Sequence, residues 1–113
     1  MPHCIIDYSK ELETTISPSQ LIEAVFKGAV EAALFSEKDI KVRASSFENY
    51  KLPTTVEHFI YVCIRILSGR TQAQRKSLSD TVSFELKKLT LKSVSLSIEV
   101  VDMERESYTK ELI

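Results

Sequence analysis

One pattern constrains the fold of this chain more than any other, because it occurs twice: an apolar strand-like segment, a helix, and an alternating strand-like segment. Both helices are predicted to begin with a cap of the same kind, at Ser17 to Gln20 in the first copy and at Thr71 to Gln74 in the second. In such a cap a hydroxyl accepts a hydrogen bond from the backbone three residues later, and the glutamine side chain reaches back. Sequence identity between the copies is low, so the repeat is one of structure.

The first half of the chain is predicted to fold as strand, helix and strand. His3 to Tyr8 is a short apolar segment, and Ile40 to Phe47 alternates between apolar and polar side chains, as a half-buried strand does. Between them Pro18 suits the first position of a helix that ends near Phe35. The apolar side chains that follow helical spacing there are Leu21, Ile22, Val25, Phe26, Ala29, Ala33 and Leu34.

The second half repeats this order. Phe59 to Leu67 is dense in β-branched and aromatic residues and is predicted to be a central strand. A helix is expected from Thr71 through about Lys92, and Val94 to Val101 alternates as a fourth strand. Asp102 to Ile113 is polar and is expected to be weakly structured, with at most one short helical turn.

These elements predict an α+β fold in which residues 1–113 form a single domain. Two β-α-β units make a four-stranded mixed sheet, with both helices on one face. The other face would be bare in a monomer, and it is expected to carry residues such as Cys4, Tyr8, Tyr61 and Cys63, or their neighbours in the alternation, which are too apolar to face water. The sequence therefore predicts that a further subunit covers this face.

Composition excludes several classes of function. The 15 basic and 16 acidic side chains are well mixed and form no basic stripe, so a nucleic-acid binder is not expected. No apolar run approaches the ~20 residues that span a bilayer, and the first residues do not resemble a signal peptide. Cys4 and Cys63 are interpreted as free buried thiols in a reducing, cytoplasmic protein, and histidine and cysteine are too scattered for a metal site.

Pro2 is the first candidate for chemistry. Because proline is small, Met1 should be removed, and this would leave a secondary amine at the start of an apolar strand. A free α-amine has a pKa of roughly 8, and burial or nearby cations disfavour its protonated form. Such an amine would be a good general base near neutral pH. The alternative is that the proline has no role, and a retained Met1 would make its nitrogen an amide that cannot act as a base.

Three cations are the second candidate. Lys41 and Arg43 share one face of the second predicted strand, and Arg70 lies at a turn just before the second helix. A guanidinium beside a helix N-terminus can form an anion site, because the free N–H groups there add partial positive charge. The alternative is that all three are solvated surface charges.

Several short motifs, taken in order, resemble those of a known family. These are Met1 to His3, Ile40 to Arg43, and Leu67 to Thr71. Together with the length and the repeat, they are similar to the tautomerase superfamily, and most closely to its 5-carboxymethyl-2-hydroxymuconate Δ-isomerase branch. The resemblance implies a pair of β-α-β units that assemble as a homotrimer, with the sheets packed inward.

The resemblance also implies a mechanism that needs no metal or organic cofactor. The nitrogen of Pro2 would take a proton from an unsaturated 2-oxo acid or dicarboxylate and return it at another carbon. Arg43 and Arg70 would bind the carboxylate and 2-oxo groups. At Lys41 the related proteins look to have arginine, so this chain keeps the charge there but loses the planar guanidinium, and its acid could be a different one.

Other functions remain open at this stage. They are a tautomerase for another 2-oxo acid, a non-catalytic binding or signalling protein of the same trimeric architecture, and a purely structural trimer. Three aromatic residues, Phe47, Tyr50 and Phe59, are interpreted as core or interface rather than pocket walls. His3 and His58 are interpreted as strand-end residues without an acid–base role.

Overall fold

The computed structural model describes residues 1–113 and contains four strands and two helices. In chain order these are β1 (His3–Ser9), α1 (Pro18–Glu31), β2 (Lys41–Phe47), β3 (His58–Leu67), α2 (Gln72–Lys87) and β4 (Val94–Met103). Short 3-10 turns lie at Lys10–Thr14 and Glu37–Asp39. Both predicted capping boxes are present, because each hydroxyl accepts from the backbone and each glutamine bonds back to its cap. No helix is long and apolar enough to cross a bilayer.

The sheet joins the two β-α-β units side by side. Its strand order is β2-β1-β3-β4, with β1 parallel to β2, β3 parallel to β4, and β1 antiparallel to β3. The predicted α+β class, with a four-stranded mixed sheet and both helices on one face, is confirmed. The first strand of each unit is therefore central, and the start of β1 is flanked by β2 and by the end of β3.

The core lies between the helices and one face of the sheet. Its fully buried members include Ile6, Leu21, Val25, Val62, Ile64, Ile66, Leu78 and Val82. The helices approach closely at Gly28, where a Cβ would lie 2.6 Å from the Cα of Val82. The Thr81 hydroxyl donates to the Gly28 carbonyl at 2.8 Å and fixes this crossing. A glycine is thus required in α1 by the packing of α2, not by its own backbone angles.

The prediction for the open face was partly wrong. Cys4 and Tyr8 are buried under the helices, whereas Tyr61 and Cys63 lie on the opposite, open face. The reason is the register: Cys4 pairs with Ile64 and Ile5 pairs with Cys63, so even-numbered residues of both strands share one face. The open face carries the odd-numbered set, and it is more polar than expected: His3, Ile5, Asp7, Lys41, Arg43, Tyr61, Cys63 and Arg65.

Both helices end before the predicted residues. In α1 the last helical residue is Glu31, and Ala33 has a φ of 58°; in α2 the last is Lys87, and Thr90 has a φ of 52°. Leu34, Leu89 and Leu91 still pack against the core, but from irregular backbone. Their apolar side chains extended the helical pattern beyond the true helix ends.

Candidate active site

Pro2 lies at the sheet corner formed by the start of β1. Its side chain is fully buried, and its carbonyl accepts a hydrogen bond from the backbone N–H of Lys41 at 3.1 Å. This bond continues the parallel pairing of β1 with β2 by one residue, which aligns Pro2 with the residue before Lys41. The corner is thus built by backbone pairing, and its residues are held on rigid strands.

The amino group of Met1 lies in the same corner. It donates to the carbonyl oxygen of Asp39 at 3.0 Å, and the Met1 sulfur lies 3.3 Å from the backbone nitrogen of Leu67. Burial lowers the pKa of this amino group from its ordinary value, and the positive charges of Lys41 and Lys110 lower it further. An amine in this position is therefore disposed to be neutral more readily than one in water.

Three cations surround His3 on the open face. The register places Lys41 and Arg65 on either side of His3, and it places Arg43 beside Ile5 in the next row. All three cations are exposed, and none of the ion pairs of the chain includes them. The pKa of His3 is lowered by burial and then by the nearby amino group and these cations, so its ring is neutral at physiological pH. The arrangement is a patch of cations that have no ion-pair partner, which suits an anion.

Arg70 lies at the same end of the sheet but is turned toward the connection between α1 and β2. Its guanidinium donates to the carbonyl of Leu34 at 2.7 Å and lies 5.4 Å from the ring centroid of Phe35. The N-terminus of α2 beside it is capped by Thr71 and Gln74. Of the four predicted site residues, Pro2, Lys41 and Arg43 share the corner, whereas the Arg70 guanidinium bonds to the α1–β2 connection.

Sequence reasoning missed three residues of this corner. Arg65 is detectable, because it continues the alternation of β3 on the open face, but only the register shows that it lies opposite His3. Tyr108 and Lys110 come from the segment that was expected to be weakly structured. The Tyr108 hydroxyl lies 2.9 Å from His3 Nε2, and Lys110 donates to the Asp39 carboxylate at 2.8 Å. No local pattern signals contacts between such distant positions.

The aromatic residues lie at the other end of the sheet. Phe47 pairs with Ser9 at the far end of β1, and the Phe59 ring centroid lies 6.3 Å from that of Phe47 and 5.1 Å from that of Tyr50. Phe47 and Tyr50 are exposed, so within one chain these residues do not wall the corner of Pro2. The largest groove, of about 620 Å³, is also elsewhere, because it is lined mainly by residues of α1 and α2.

Solved structures share this architecture. A 5-carboxymethyl-2-hydroxymuconate delta-isomerase has a TM-score of 0.82 at 17% identity, covering 99% of this chain and 88% of that chain. The 5-carboxymethyl-2-hydroxymuconate isomerase from Deinococcus radiodurans R1 has a TM-score of 0.79 at 20% identity, covering 97% and 88%. A fused 4-OT, described as an asymmetric trimer, has a TM-score of 0.69 at 16% identity, covering 96% and 91%. The fold is thus that of the tautomerase class.

The family follows from a comparison with family models. The model of the 5-carboxymethyl-2-hydroxymuconate isomerase family matches residues 2–112, nearly the whole chain. The chain belongs to this family, and it is an isomerase. A comparison with curated proteins gave no match.

Proposed function

We propose that the protein is a cofactor-independent tautomerase that moves a proton within an unsaturated 2-oxo dicarboxylic acid of the 2-hydroxymuconate type, with the amine of Pro2 as general base. The observation that carries this proposal is the placement of Pro2 in a buried corner beside an unpaired positive patch. A base and a set of cations are the two groups that a proton transfer next to a carbonyl requires.

The base forms when Met1 is removed, because the nitrogen of Pro2 then changes from an amide to a secondary amine. This nitrogen is three covalent bonds from the present Met1 amine, so burial and the charge of Lys41 act on it in the same sense. The pyrrolidine ring is fixed in the core, and the lone pair therefore has little freedom to move away from a bound substrate.

The substrate is held by charge. Lys41 and Arg43 project from neighbouring positions on the same face of β2 and meet a carboxylate or the 2-oxo oxygen, and Arg43 can do so with two parallel hydrogen bonds. Arg70 is the third proposed ligand: its Nη2 donates to the Leu34 carbonyl, and its remaining N–H groups are the donors that it would offer a substrate. Negative charge that develops on the substrate oxygen during the reaction is stabilised by these cations.

The reaction moves one proton within the substrate and needs no other reactant. The amine takes the proton from the 2-hydroxyl or from a carbon next to the unsaturated system, and the electron pair of that bond moves into a dienolate-like intermediate. The prolyl ammonium then returns the same proton at another carbon, which restores the free amine. General base catalysis of this kind contributes roughly 10²- to 10⁴-fold.

The proposal includes a homotrimer, in which the open sheet face is covered by neighbouring subunits. Tyr61 and Cys63 on this face are only partly buried in one chain, and the fused 4-OT with the same fold is described as a trimer. The cations of the open face are exposed in a single chain, so a neighbouring subunit would supply the missing wall of the site.

A tautomerase for a different 2-oxo acid is the second candidate, and Lys41 favours it. An ammonium offers a point charge where a guanidinium offers a planar fork, so the acid bound here need not be the one that an arginine orients.

The test is an ultraviolet assay of 5-carboxymethyl-2-hydroxymuconate isomerisation, with protein whose mass confirms the loss of Met1. We expect a high rate in this form, a rate lower by orders of magnitude in Pro2→Ala, and no activity in the fraction that retains Met1. A processed parent without activity would exclude this substrate, and a Pro2→Ala variant as fast as the parent would exclude the base.

A further inference from the structure

The segment that follows β4 returns to the start of the chain and is fastened there at two points. The hydroxyl of Tyr108 lies 2.9 Å from Nε2 of His3, and the two rings meet edge to face with centroids 6.0 Å apart. Two residues later, Lys110 donates to the carboxylate of Asp39 at 2.8 Å. One contact is made to β1 and the other to the turn before β2, so the segment spans the corner that contains Pro2.

Asp39 connects this segment to the amine. Its carbonyl oxygen accepts from the Met1 amino group and from Nζ of Lys41, each at 3.0 Å, while its carboxylate holds Lys110. The bond from Lys110 is the main reason that the pKa of the Asp39 carboxyl is lowered, so this carboxylate stays charged at neutral pH. Asp39 thus gathers the amino group of Met1, Lys41 and Lys110 in one place, next to the residue whose nitrogen becomes the amine when Met1 is removed.

We propose that the C-terminal segment is part of the active site, with Lys110 as a positioning residue that holds Asp39 and adds a second positive charge beside the Pro2 amine, and with Tyr108 as the anchor of the segment on β1. This inference rests on the proposed function, since it assigns a role to residues around the base named there. It adds two residues that lie more than 100 positions from Pro2 in the sequence.

The charges around the amine determine what each substitution does. Burial, and then Lys41 and Lys110, disfavour protonation of the Met1 amine, whereas the Asp39 carboxylate favours it, and we expect the same groups to act on the Pro2 amine after the loss of Met1. On β1 the charge of the Met1 amine acts on His3 and on the thiol of Cys4, and Arg43 and Arg65 act on His3 from the neighbouring strands. Loss of Lys110 removes one positive charge and also frees the carboxylate of Asp39. Both changes make the amine more basic, so their effects add.

The experiment is a titration of the Pro2 amine in the full chain after removal of Met1, by nitrogen NMR with labelled proline. The chain has three prolines, and the nitrogens of the other two are amides, so only Pro2 titrates. We expect Lys110→Met to raise the pKa of this amine by about 0.5 unit or more. We expect a smaller rise in Tyr108→Phe and little change in Lys110→Arg, which keeps the charge. Lys51→Met, an exposed lysine outside the ion pairs, is the matched control.

A second variant reverses the sign. Asp39→Asn removes the negative charge and leaves both lysines, so the pKa of the amine should fall below that of the parent. A folded Lys110→Met protein whose amine titrates as in the parent would overturn the proposal, and so would a rise in Asp39→Asn. The titration needs no substrate, so the two proposals can fail separately. If the parent is inactive but the pKa of the amine shifts in the variants, the proposed isomerisation is refuted and the role of the segment is not. If the parent is active and the pKa does not shift, only the role of the segment is refuted.

Discussion

The close approach of the two helices makes Gly28→Ala a sharp test of the packing described above. The added Cβ would lie 2.6 Å from the Cα of Val82, and 2.9 Å from the Thr81 carbonyl oxygen and from the Val82 nitrogen. Ordinary van der Waals contacts begin at 3.4 Å, so the shortfall at the Cα is 0.8 Å. All three contacts are to backbone atoms, which cannot rotate away as a side chain would.

Two effects of opposite sign decide the magnitude. Alanine is a better helix former than glycine by about 1 kcal/mol, which favours the variant. Overpacking of a filled interface costs about 1–3 kcal/mol, and here it also strains the bond from the Thr81 hydroxyl to the Gly28 carbonyl. Because α2 must shift as a unit to relieve the contact, we place the cost at the upper end and expect a net loss of about 1–2 kcal/mol.

Urea unfolding and thermal melting measure this loss. A fall in Tm of roughly 4–8 °C is expected. Ser77→Ala, at an exposed position of α2, is the matched control, because it improves helix propensity without a contact and should be neutral or slightly stabilising. A Gly28→Ala protein as stable as the parent would refute the argument, since it would mean that the helices separate at no cost.

Three further outcomes are expected. If the amine of Pro2 is the base, kcat/KM should fall as the pH drops through the pKa of that amine, because only the neutral amine accepts a proton. We expect burial and Lys41 to lower this pKa, as they lower that of the Met1 amine, and a pH–rate profile measures it. A thiol reagent at pH 8 should leave Cys4 unmodified in native protein, because burial raises the pKa of its thiol to about 12, and should modify it after unfolding; a thiol count in the two states measures this. Lys41→Arg should lower KM for a dicarboxylate about tenfold, since a second charge-assisted hydrogen bond is worth about 1.5 kcal/mol; an unchanged or higher KM would contradict this role.

The parts of the fold that depend on local chemistry could be predicted from the sequence. Both helix starts were correct, because a capping box needs only four consecutive residues. Alternation located β2 and β4 and placed Lys41 and Arg43 on one face of β2, whereas β1 and β3 were located by their apolar and β-forming residues. Helix ends were less predictable, because Leu89 and Leu91 pack on the core from non-helical backbone and extend the apolar pattern.

The rest depended on contacts between distant residues. Which face of β1 is covered depends on whether even or odd residues point to the helices, and an apolar segment such as Cys4 to Ile6 gives little contrast between the two. The bonds of Tyr108 and Lys110 to the start of the chain join positions with no shared periodicity. The hydrogen bond from Arg70 to Leu34 could not be predicted from the sequence either, because it depends on where α1 ends.

The internal repeat has a consequence for how chemistry is distributed in the molecule. The two halves give the sheet two corners of the same kind: His3 begins β1 opposite Lys41, and His58 begins β3 opposite Val94. The position equivalent to Pro2 is Glu57. Its nitrogen belongs to a peptide bond with the preceding residue and donates to the Ser93 carbonyl at 3.1 Å. An amide in the middle of a chain has no basic lone pair, so only the first corner can ever carry an amine base. If the amine of Pro2 is the base, the second half of the chain repeats the scaffold of the first without repeating its reactive group.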